Sequence, residues 1–348
     1  MKHNFNVTIA LVLFFFAAQF MGLLIINQYI DHKKTTEKKE IVMQPLPYGF
    51  ERPEVKNQST SFIYITAAVL VGTSFLLILV KFEGASLFKI WLYTGILRIV
   101  SYILLFLSED YSSLAIFAII DLLAGYLILR FKLTMKWVWK LWFFATVWVT
   151  LSIAFAAFIN NIAAAVLALI VAILKFYKPN ILIQNFSEIF VYGGLAAIFV
   201  PMFNLFAAFM LLIVISIYDF IAVFKTKHMI KLAEFQSGSK VFAGLSIHYE
   251  REPKKANDAN SKSKPHKSIA VLGGGDIAFT LIFAGTVMKE IMLKETFFIG
   301  FLKTLIIPVI VTLALFILLM KGRRNKFYPA MPVLSLGCLL GYLAVWLI

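Results

Sequence analysis

Long apolar runs separated by short polar stretches make up most of this chain. Runs of membrane-spanning length, or close to it, fall at 7–30, 62–81, 86–107, 112–130, 137–158, 162–177, 184–202, 204–224, 269–288, 297–320 and 328–348. They predict an all-α, polytopic membrane helical bundle of about eleven spans, since a bilayer leaves no water to satisfy a non-helical backbone. The 162–177 run is short, and Pro201 and Asn204 mark a tight turn between two spans. Two polar stretches are long. Residues 31–61 carry Pro45, Pro47 and Pro53, and residues 225–268 are rich in Lys, Ser and Asn, with a second half, 250–268, composed like a disordered linker. No other break divides the chain, so 1–348 reads as a single membrane domain.

Composition agrees. Hydrophobic residues are 61% of the 348 positions, and the mean hydropathy is +0.87, more than a soluble core could bury. The net charge of +15 does not imply nucleic acid, because the basic residues cluster between apolar runs. They collect on alternate connections, around 130–140, 225–267 and 321–326, which places the N-terminus and the 225–268 loop in the cytoplasm. The C-terminus and the 31–61 loop are then extracytoplasmic. The first run follows Lys2 and His3 and, at about 24 residues, exceeds a signal-peptide core, so it reads as a retained anchor. Cys338 stands alone, which excludes an intramolecular disulfide framework.

The chemistry is expected where charge interrupts hydrocarbon. Asp219, in Ile215-Ser216-Ile217-Tyr218-Asp219, and Asp276, in Leu272-Gly273-Gly274-Gly275-Asp276, lie in consecutive apolar runs. A carboxylate at such depth is costly and points to function. Counted from the cytoplasmic ends of their spans, Asp219 sits roughly 8 Å deep and Asp276 roughly 10 Å, at 1.5 Å per residue. Two carboxylates at matched depth on antiparallel neighbours could share one proton and activate water. Gly273, Gly274 and Gly275 permit close backbone approach and local unwinding. The same features also suit an ion- or proton-coupled transporter using both aspartates as ligands, although no half-to-half repeat is visible.

Three motifs, in order, separate these readings. Tyr218-Asp219, Gly273-Gly274-Gly275-Asp276 and Pro329-Ala330-Met331-Pro332 resemble the YD, GxGD and PAL motifs of presenilins and signal peptide peptidases. The chain is similar to an archaeal-type member, best over 184–348, with Met331 in place of the usual Leu. The resemblance implies an intramembrane aspartyl endopeptidase that hydrolyses bonds within transmembrane helices. Asp219 and Asp276 would be the catalytic dyad, supported by Tyr218, Gly273 and Gly275. Pro329, Ala330, Met331 and Pro332 would contact substrate. It implies no cofactor or metal; its partners are transmembrane peptide or protein substrates and membrane lipid, with no nucleic acid and room for a homo-oligomer or accessory subunit.

Such proteins have nine spans, so two are extra here. Leu79-Val80-Lys81-Phe82 and Phe88-Lys89-Ile90-Trp91 are echoed by Leu129-Arg130-Phe131-Lys132 and Val138-Trp139-Lys140, which suggests an inserted helical hairpin at 83–131. Within it Arg98 and Asp121 fall at similar depth and predict a structural ion pair. Asn185 and Glu188, near a helix end, read as solvated or cavity-lining. His228, His248 and His266 lack metal-ligand spacing, and HExxH, GxSxG and Walker patterns are missing from the sequence.

Overall fold

The computed structural model describes residues 5–38, 41–50, 95, 99–103, 119–123, 125–128, 130, 135–178, 180–225, 242–251, 266–322 and 328–348. The 62–81 run, most of the 83–131 hairpin, Arg98, residues 226–241 and residues 252–265 lie outside them.

The described helices are α1 (Phe5–Gln28), α2 (His32–Lys38), α3 (Met135–Ala156), α4 (Asn161–Tyr177), α5 (Ile181–Phe199), α6 (Leu205–Phe224), α7 (Gly274–Met292), α8 (Phe297–Thr304), α9 (Ile306–Lys321) and α10 (Met331–Leu347). Among the described residues, five stretches are long and apolar enough to cross a bilayer: α1, 137–156, 181–202, α6, and α8 with α9 as one unit. The protein is an integral, multi-pass membrane protein.

Local chemistry sets the helix boundaries. Asn160, Asn180 and Asn204 cap α4, α5 and α6, each side-chain oxygen accepting from a first-turn N–H. Pro201 sits in the short 3-10 turn at Val200–Met202 and separates α5 from α6. At the start of α10, Pro332 occupies the first turn, where its missing N–H is no loss.

Helix α7 is the axis of the bundle. Ile277, Leu281, Ala284, Val287 and Met288 are buried on it, and it packs against α1, α5, α6 and α10. Small residues let the helices close in: a Cβ on Gly194 would fall 1.9 Å from the Thr150 carbonyl oxygen, so α3 and α5 touch backbone to backbone.

The structure adds a sheet to the all-helical expectation. Strands β1 (Gly244–Arg251) and β2 (His266–Gly273) pair antiparallel, from Gly244 opposite Gly273 to Arg251 opposite His266. The apolar run starting at 269 therefore enters as a strand, and its helix begins only at Gly274. The strand signal is a period of two: Ile269 and Val271 are 48% and 44% exposed, while Ala270 and Leu272 are buried. Both ends of the stretch expected to be a disordered linker, 250–251 and 266–268, belong to these strands.

Two polar residues are also corrected. Asn185 and Glu188 are fully buried, not solvated. Glu188 pairs with buried Lys175. Asp121 accepts a 2.9 Å hydrogen bond from the Tyr102 hydroxyl; its expected partner Arg98 lies outside the described residues.

Candidate active site

Asp219 lies on α6, one turn and a half from its C-terminal end, and is only 6% exposed. Its Oδ2 accepts the backbone N–H of Met331 at 3.0 Å, and the N–H of Ala330 also reaches the carboxylate. These are donors of the first turn of α10, which have no intrahelical acceptor. The aspartate therefore caps a helix other than its own, and the positive end of that helix favours its charge. A second α6–α10 contact, Ser216 Oγ to Ser335 Oγ at 2.8 Å, holds the two helices a turn away. Pro329, Ala330 and Pro332 are half-buried beside Met331, which is buried.

Asp276 lies in the first turn of α7, three residues past the N-cap Gly273. That is shallower along its helix than the apolar run implied, because the run's first residues are strand. From this third position its carboxylate folds back and accepts the N–H of Gly273, the acidic half of a capping box. The two aspartates lie within electrostatic reach of each other on helices packed side by side. Each sits at the positive end of a helix.

The glycines do not unwind the helix as expected; they make the junction between strand and helix. Gly274 N–H donates to the Ala243 carbonyl at 3.2 Å. The crowded position is Gly274, where a Cβ would meet the Tyr192 hydroxyl at 2.3 Å. A Cβ on Gly273 or Gly275 would make only ordinary contacts, at 3.4 Å to the Asp276 carboxylate and to the Phe279 ring. Tyr192, on α5, is 5% exposed. Its hydroxyl is within electrostatic reach of Glu188, the stronger interaction, and of Asp276, and makes no hydrogen bond of good geometry among the described residues. Tyr218 is half-buried on α6, next to Asp219.

The hairpin is docked on α5 by side-chain amides. Asn185 imitates a neighbouring strand: its Nδ2 donates to the Ser246 carbonyl at 2.9 Å and its Oδ1 accepts the Ser246 N–H at 3.0 Å. Gln184 Nε2 reaches the carbonyls of Phe242 and Gly244 at 2.9 and 3.0 Å. The outer edge of β1 is thus occupied. Antiparallel pairs alternate the direction of their backbone groups, so the register that turns Ser246 toward α5 turns Val271 and Ile269 to the opposite, outer edge of β2. No strand covers that edge among the described residues.

Sequence reasoning missed Tyr192, Asn185 and the importance of Gly274. A single polar residue in an apolar helix carries no spacing signal, although Asn185 and Glu188 one turn apart hinted at a buried polar face. Among the described residues no group of His, Cys, Asp and Glu could hold a metal ion.

Residues 108–348 match the family profile described as signal-peptide peptidase, presenilin aspartyl protease. No curated protein matches the chain. Among solved structures, a presenilin family intramembrane aspartate protease in a P2 crystal form aligns over 97% of this chain and 96% of its own, at 16% identity and a TM-score of 0.52. A C222 form of such a protease aligns over 97% of each chain at 19% identity, with a TM-score of 0.49. The P2 likeness extends the shared fold beyond the matched residues, toward the N-terminus.

Proposed function

Because this chain belongs to the signal-peptide peptidase and presenilin family of aspartyl proteases, we propose that Asp219 and Asp276 act as one dyad that hydrolyses peptide bonds inside transmembrane helices. The observation that supports this reading is that two carboxylates on adjacent helices lie within electrostatic reach of each other, each held by helix N-terminal amides. Like charges so placed favour one shared proton. The ionised carboxylate takes a proton from water, whose oxygen attacks the scissile carbonyl carbon. The protonated partner hydrogen-bonds the carbonyl oxygen and then supplies the leaving nitrogen with its proton. The two groups titrate as a unit.

A helix hides its own peptide bonds, so a substrate must be extended before it is cut. The edge of β2 that no strand covers among the described residues offers such a strand the backbone groups of Ile269 and Val271, seven and five residues before Asp276 along the chain. Pro329, Ala330, Met331 and Pro332 bound the site from the Asp219 side. With the N-terminus cytoplasmic, as the basic loops favour, cleavage falls in the cytoplasmic half of the bilayer. No observation favours the ion-carrier alternative.

The test is cleavage of a labelled transmembrane peptide by purified protein in lipid vesicles. Asp219→Ala and Asp276→Ala should each abolish product, and the double variant should lose nothing further. Near-normal hydrolysis by either single variant would end the dyad assignment.

A further inference from the structure

Helix α1 carries a buried amide, Gln19, in a mostly apolar seam. Gln19 is 1% exposed, between Phe15 and Gly22 on the face turned to α7. Its Nε2 donates to the Ile277 carbonyl at 2.9 Å and to Thr280 Oγ1 at 2.7 Å. Thr280 Oγ1 in turn lies 2.8 Å from the carbonyl oxygen of Asp276, to which it donates. A connected path through two buried side chains, Gln19 and Thr280, thus runs from α1 to the backbone of Asp276.

Packing makes the contact close. A Cβ on Gly22 would lie 2.2 Å from Leu281 Cδ2, so the bare Gly22 lets the Leu281 side chain seat against α1. An amide in this seam costs desolvation that leucine would not, and interhelical polar contacts in membranes return little on average. Helix adhesion alone is a poor reason for a glutamine here. The place of the contact offers a better one: it grips the first turn of α7, where Asp276 stands and where the helix has few hydrogen bonds of its own. Asp219 is held directly by the α10 backbone; Asp276 otherwise depends on its own strand–helix junction.

We propose that Gln19 is a positioning residue for Asp276, acting through Thr280 to fix the rotation of the first turn of α7. This rests on the dyad reading above. Displacement of a catalytic group by a fraction of an ångström lowers turnover without touching substrate affinity. Purified full-length Gln19→Met, Thr280→Val and Thr280→Ser should be assayed with the labelled transmembrane peptide beside wild type, Asp276→Ala and Thr286→Val. Thr286 is the control, a buried hydroxyl on the same helix bonded only to the Ile282 carbonyl at 2.9 Å among the described contacts.

The expected result is a fall in kcat on the order of tenfold for Gln19→Met and Thr280→Val. KM should hold, Thr280→Ser should recover most of the loss, and the double variant should be no worse than either single one. The active fraction is normalised by titration with a hydroxyl-bearing transition-state peptide, so poor folding of Gln19→Met does not imitate the effect, and Thr280→Val reads the same path independently. If wild type cleaves and the two variants keep kcat per titrated site, or lose only what Thr286→Val loses, the positioning role is overturned and the dyad stands. Wild type no more active than Asp276→Ala overturns both.

Discussion

At the scale of single residues, the site depends on where a side chain is missing. Of the three glycines before Asp276, Gly274 is the one with no room to spare, because the Tyr192 hydroxyl occupies the space its Cβ would take. Gly274→Ala should therefore lose most cleavage, and Gly274→Ala with Tyr192→Phe should regain part of it. Gly275→Ala, whose Cβ would meet only a ring edge at 3.4 Å, should be much milder. Equal losses at the two glycines in the peptide assay would show that conformational freedom, not space, matters there. The sequence made the aspartates legible, because carboxylates in hydrocarbon stand out and the motifs around them come in order. Tyr192 and Gln19 were not legible: each is a lone polar group whose meaning comes from a helix more than eighty residues away in the chain.

At the scale of elements, the hairpin is the feature that hydrophobicity concealed. Ile269-Ala270-Val271-Leu272 joins the apolar helix behind it without a polar break, so the boundary is invisible to a count of apolar residues and visible only as alternation. Its register makes an unusual substitution informative. The Val271 N–H points away from β1, so Val271→Pro removes an edge donor while sparing the ladder, as edge strands permit. We expect that variant to keep its thermal midpoint and lose cleavage, whereas Ala270→Pro, which breaks the ladder, should lose both. Retained cleavage by Val271→Pro would remove the β2 edge from the substrate path. The helix pair behind the hairpin is equally constrained. Glu188→Ala leaves Lys175 buried without its counter-charge and should destabilise the protein by about 3–5 kcal/mol, while Lys175→Met with Glu188→Leu should be better tolerated. Thermal unfolding in detergent measures both.

At the scale of the whole molecule, hydropathy gave the membrane bundle and its polar connections, because burial in lipid demands long apolar segments. It could not give the order of packing around α7, which is decided by small residues such as Gly22 and Gly194 meeting particular neighbours. The strands end with Arg251 opposite His266, so the chain leaves and re-enters the hairpin at adjacent points. Replacing 252–265 by a short Gly-Ser turn should then preserve cleavage and slightly raise stability, since a shorter loop costs less closure entropy; a large loss of activity would give that segment a role over the site. The grip of α10 on Asp219 has a practical outcome for anyone trapping a substrate. Asp219→Ala should abolish cleavage and also uncap α10, a loss of about 0.5–2 kcal/mol at a joint between positions 112 residues apart. Asp276→Ala gives up only a bond within its own first turn. The two alanine variants are therefore different tools: Asp276→Asn, or Asp219→Asn with its amide oxygen still accepting, would hold a bound helix in a native site, where Asp219→Ala would present a loosened one.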